Sequence, residues 1–262
     1  MLMSRSLPSP RLAAPQSRLA AQHRFRTFRF TPFAAALVAV AVSCSSSPNE
    51  LLIRIARGDA EDRADAIVKL GEVLAEKEAA GFPFGEGDRE ALALLEDVAG
   101  DESDSLLRVR AIAALRQLQT FDHTEIWLRG LESRFWGVRW ESAKSLLVHP
   151  VARAAPSLIE RLHREPNRVV LLDAIRALAR IENRAALRGL LEAFLDASGR
   201  FADHELKLHE AIRRLSGKGW SITEKQRWRD YLRDELGEDG DAVVPPAAPV
   251  APEAAPPPRG SP

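Results

Sequence analysis

The 262-residue chain is long enough for one or two domains, and its 45% hydrophobic and 28% charged content is that of a globular protein. The formal net charge is zero, but residues 1–43 hold six arginines and no acid, which leaves 31 basic against 37 acidic residues beyond them, a net of −6. An acidic body excludes the clustered positive charge that nucleic-acid binding rewards, so no nucleic-acid partner is expected, and a single cysteine, Cys44, excludes an intrachain disulfide.

In chain order, the first element is an address. Arginines at 24, 26 and 29 precede the apolar run Phe33–Val42, and Ser43-Cys44 follows. Basic region, apolar block and small residues before a cut site are the three parts of a secretory signal. Ten apolar residues span about 15 Å as a helix, half of a bilayer core, so the run is too short for a membrane anchor. Residues 1–23, rich in Arg and Ser and free of acid, also have the composition of an organelle transit peptide. Ser45-Ser46-Ser47-Pro48 reads as part of a tether over 44–50.

Beyond the tether a pattern recurs: small residue, aliphatic residue, two variable residues, leucine. It stands at Ala66-Ile67…Leu70, Ala111-Ile112…Leu115, Ser142-Ala143…Leu146, Ala174-Ile175…Leu178 and Ala211-Ile212…Leu215. Positions i, i+1 and i+4 share a helix face, and a small residue there lets a second helix come close. Another apolar helical stretch precedes each instance, beginning at Leu51, Ala91, Ile126, Leu158 and Leu187. The unit is therefore a helix pair, repeated five times over 51–216. Asp122-x-x-Glu125 and Ser221-x-x-Glu224 have the form of capping boxes, and Pro156 suits a first helical turn. Residues 81–88, with Phe82 and Phe84 among glycines, lengthen the first repeat spacing and are expected to pack back on the helices. Trp220–Leu236 is amphipathic and is expected to be a capping helix within 217–238. Residues 239–262, rich in Pro and Ala, have nothing with which to build a core.

Two family resemblances follow from these residues. Ala41-Val42-Ser43-Cys44 resembles the lipobox of bacterial lipoproteins, with Ala41 in place of the usual leucine; the same three residues also satisfy ordinary signal cleavage, and either peptidase would cut before Cys44. The resemblance implies export and a lipid on Cys44, anchoring the chain to the cell membrane or outer membrane. Leu107-Arg108-Val109-Arg110-Ala111-Ile112-Ala113-Ala114-Leu115 and Val138-Arg139-Trp140-Glu141-Ser142-Ala143-Lys144-Ser145-Leu146 resemble the second helix of HEAT repeats, closest to the short class shared with phycobilin-lyase-type proteins. Arg63 keeps the register of Arg108 and Arg139, whereas Leu171 and Leu208 depart from it. This resemblance implies an all-α fold, an α-solenoid of about five helix pairs with a capping helix.

Catalytic motifs are missing from the sequence: no phosphate loop, Cys/His cluster or nucleophile elbow occurs. His204 and His209 stand five apart, about 140° around a helix, so they do not share a face for a metal, and solvated surface is expected for both. No catalytic residue, cofactor or metal is therefore assigned. Trp136, Arg139 and Trp140 form the candidate partner-binding patch, because Trp and Arg dominate interface energetics. Core packing competes with that role, foremost for Trp140 and nearby Trp127. The resulting expectation is a membrane-anchored scaffold binding an unidentified protein partner in the bacterial envelope; a lyase-like enzyme or accessory and a structural tether are the alternatives.

Overall fold

A computed structural model describes residues 47–101 and 103–237, all within one unit that runs from Ser46 to Pro262. The export signal, Cys44 and the Pro/Ala-rich segment lie outside the described residues. Eleven helices and no strand occur among them. They are α1 (Pro48–Arg57), α2 (Ala60–Ala79), α3 (Glu86–Gly100), α4 (Ser105–Leu115), α5 (Thr124–Leu131), α6 (Trp136–Val148), α7 (Ala155–Arg164), α8 (Arg168–Arg180), α9 (Arg184–Leu195), α10 (Glu205–Ser216) and α11 (Lys225–Asp234).

Local chemistry sets the helix starts. Side chains of Ser47, Asp59, Asp104, Asn167 and Asn183 accept the free amides of the first turns of α1, α2, α4, α8 and α9. Pro156 sits in the first turn of α7, as its missing N–H favours. Gly217, at φ +68°, closes α10 in the left-handed conformation that glycine adopts most easily. The two expected capping boxes form differently. Asp122 accepts from the Thr124 amide at 3.0 Å and pairs with Arg153, and α5 begins without a side-chain cap. Glu224 accepts from the Ser221 amide at 2.6 Å, but Ser221 Oγ turns to the Thr223 amide. The last helix accordingly starts at Lys225 rather than Trp220, and only half of the expected 217–238 segment is helical.

Packing follows the sequence pattern. Successive helices pack in pairs, α1/α2 through α9/α10. The first members α1, α3, α5, α7, α9 and finally α11 pack side by side in chain order, as do the second members α2, α4, α6, α8 and α10. The five repeated triplets all lie on the second members and are buried, with only Leu215 partly exposed. Small residues mark the tightest crossings. A Cβ added at Gly71 of α2 would lie 2.5 Å from Ala114 Cβ of α4, and one at Gly130 of α5 would lie 2.0 Å from Ser142 Oγ of α6. The 80–85 connection divides its two aromatics: Phe84 packs on Phe121, ring centroids 5.2 Å apart, while Phe82 is 57% exposed.

Candidate functional site

The candidate patch begins at the first turn of α6. Trp136 is its N1 residue and is 42% exposed. Trp140, one turn on, is half-buried; its ring lies 6.3 Å from that of Trp136, its Nε1 donates to Asp173 Oδ2 of α8 at 2.8 Å, and Lys144 Nζ sits 4.4 Å from its centre. The two tryptophans therefore make one aromatic strip, wet at the Trp136 end and tied to α8 at the other.

Arg139 does not belong to that surface. It is 6% exposed, and its Nε and Nη2 donate to Glu165 Oε2 and Oε1 at 2.8 and 2.9 Å. Its Nη1 donates to the Ser133 and Arg134 carbonyls just past the end of α5. The register it shares explains why. Arg63 Nε donates to the Ile55 carbonyl in the last turn of α1, and Arg108 Nε to the Ala99 carbonyl of α3, each at 3.0 Å. A cation there supplies donors to carbonyls that lack intrahelical partners and meets the negative end of the helix dipole. At the fourth and fifth positions Leu171 and Leu208 cannot do so, and other cations take over. Arg200 Nη2 donates to the Glu165 carbonyl beyond α7 at 2.7 Å, and Lys225 Nζ to the Phe194 carbonyl of α9 at 2.9 Å.

Three further exposed apolar side chains stand at the position equivalent to the first turn of α6. Leu106, Val169 and Leu206 are the second residues of α4, α8 and α10, and are 49%, 49% and 59% exposed. With Trp136 they stand at the N-terminal ends of four helices that contact one another in chain order. Each of the three lies five residues before the small residue of its repeat triplet, which puts it about 140° from the buried face. That offset was visible in the sequence, but first-turn residues read as helix starts rather than as surface.

Trp127 belongs to the interior, 1% exposed, with His149 stacked on it at 5.0 Å and His123 against its edge at 6.1 Å. His123 is buried, neither ring nitrogen makes a hydrogen bond, and its Nδ1 lies 3.2 Å from Glu96 Oε1. Burial pushes its pKa down, and the Glu96 carboxylate only partly opposes this. The expectation of solvated histidines at 204 and 209 is corrected. Both are buried; His209 is covered by the segment after α10 and by α11, stacking on Phe194 at 5.7 Å with its Nε2 2.9 Å from the Trp220 carbonyl and its ring 6.0 Å from that of Trp228.

Among the described residues no group of three or more His, Cys, Asp or Glu side chains is placed to hold a metal, and no helix is long and apolar enough to cross a membrane. No family model matches the chain, and no curated protein matches it.

Proposed function

We propose that the protein is a HEAT-like α-solenoid that serves as a protein-binding scaffold in the bacterial envelope, held at the membrane by lipid on Cys44. The observation that carries the binding role is the exposed row Leu106, Trp136, Val169 and Leu206, repeated on four successive second-layer helices. Apolar side chains recurring on one edge, where the repeat pattern leaves free choice, have no part in the core. Stacked helix pairs bind through long surfaces of this kind. The chain order of contacts within each layer supports the solenoid, and the Ala41–Cys44 sequence supports the anchor.

Two measurements test the reading. Chemical crosslinking of the native protein in envelope preparations is expected to yield a defined partner that is lost in a Leu106→Ser, Trp136→Ser, Val169→Ser, Leu206→Ser variant of unchanged circular dichroism. Retention of that partner by the variant refutes the row as the interface. Intact mass of the native protein is expected to begin at Cys44 with added acyl groups; a mass that keeps residues 1–43 refutes export.

A further inference from the structure

A second surface lies where the C-terminal end of α10 meets the start of α9. Arg184 and Leu187 of α9, Arg214 and Leu215 of α10, and Glu182 and Asn183 between α8 and α9 line an open cleft of 420 Å³. Arg180 and Arg213 stand exposed in the last turns of α8 and α10. Among the described residues Arg180, Arg213 and Arg214 have no ion pair; two arginines, Arg184 and Arg214, line the cleft with a single carboxylate, Glu182, and Arg180 and Arg213 stand within two residues of that lining.

The end of α11 is already fastened to this place. Arg184 Nη2 donates to the Glu235 carbonyl at 2.8 Å, and Arg188 Nη1 to the Gly237 carbonyl at 3.1 Å. The next residues in the sequence are Glu238-Asp239-Gly240-Asp241, with three carboxylates in four positions. At about 3.4 Å per extended residue, all four lie within roughly 14 Å of the held Gly237 carbonyl. We infer that the arginine-lined cleft is the dock for the acidic segment Glu238–Asp241 of the same chain. Charge is complementary, the segment starts at the rim of the cleft, and so short a tether gives a high effective concentration, so weak individual pairs suffice. Leu206 and Arg214 are eight residues apart on α10, about 12 Å along its axis, so docking leaves the apolar row open.

The test is a distance measurement by double electron–electron resonance on the full chain in a Cys44→Ser background. Nitroxides are placed at Ala185→Cys, exposed on α9, and Gly240→Cys, the uncharged position of the segment. One short, narrow distance is expected at low salt. It is expected to broaden at about 1 M salt, where screening acts beyond about 3 Å. Arg214→Glu, which removes no bond of the fold, is expected to broaden it at low salt, and so is the triple change Glu238→Lys, Asp239→Lys and Asp241→Lys in a chain that keeps Arg214. A distribution that is broad at low salt, or indifferent to Arg214→Glu, overturns the inference. A short distance in a mixture of singly labelled chains also overturns it, by assigning the cleft to a second copy.

Discussion

Arg139 and Glu165 form a bidentate pair across the junction of two repeats, 2.8 and 2.9 Å long, with the carboxylate fully buried. The same carboxylate accepts the Asn167 amide at 2.9 Å and has Arg161 Nη1 at 3.6 Å, and burial lowers the pKa of Arg161. Removing one partner of such a pair strands a charge away from water. Arg139→Met is therefore expected to cost about 3–5 kcal/mol in urea unfolding, and Arg139→Met with Glu165→Gln clearly less than the sum of the two single costs. Additive costs would show that the pair is not coupled.

The cations that replace the repeat arginine carry a separate prediction. Arg200 and Lys225 come from a connection and from α11, yet they reach the same kind of carbonyl as Arg63 and Arg108. Arg200→Ala and Lys225→Ala are each expected to destabilise the protein by about 1–2 kcal/mol, since a charged donor to a helix C-terminus is lost. An unchanged unfolding midpoint in either variant would rule out the capping role at that site.

The pH dependence follows from His123 and His204, whose pKa values burial lowers below the ordinary 6.5. In the folded state both rings stay neutral where the unfolded chain takes up protons. Stability is therefore full above about 6.5 and falls as the pH drops from there towards the folded values, by at most about 1.4 kcal/mol per pH unit for each histidine. His123→Phe keeps a ring between Phe121 and Trp127 and is expected to flatten the slope between pH 6.5 and 5. A slope identical to wild type would take His123 out of the account.

These residues also show what the sequence contains and what it hides. The helix pairs were legible because burial acts every third or fourth residue, and each small residue of the triplets lies in the core. Trp127 could be assigned to the core from its place in an apolar helix. The fate of Arg139 could not, because Glu165 stands 26 residues away and only the packing of α6 against α8, with α7 paired to α8, brings them together. Arg200 and Lys225 were hidden for the same reason: their carbonyl partners lie 35 and 31 residues distant, and no local spacing encodes them. The burial of His209 was hidden because α11, a later element, supplies its cover.

The exposed row makes the sharpest distinction between core and interface. Trp127 fills the interior, so Trp127→Ala is expected to cost about 3–5 kcal/mol of stability. Trp136→Ser, at a 42% exposed site, is expected to change stability by no more than about 0.5 kcal/mol. Partner affinity should run the other way. If Leu106, Trp136, Val169 and Leu206 form one footprint, placing a glutamate at each in turn lowers affinity at all four positions, by about 1–2 kcal/mol or roughly five- to thirtyfold, with the largest loss at Trp136. A footprint confined to α6 would leave the Val169→Glu and Leu206→Glu variants binding like wild type, and titration calorimetry against the crosslinked partner separates the two. Stability measured on the same variants keeps the comparison clean, because a glutamate at an exposed first-turn position also favours the helix dipole and gives the fold no reason to weaken.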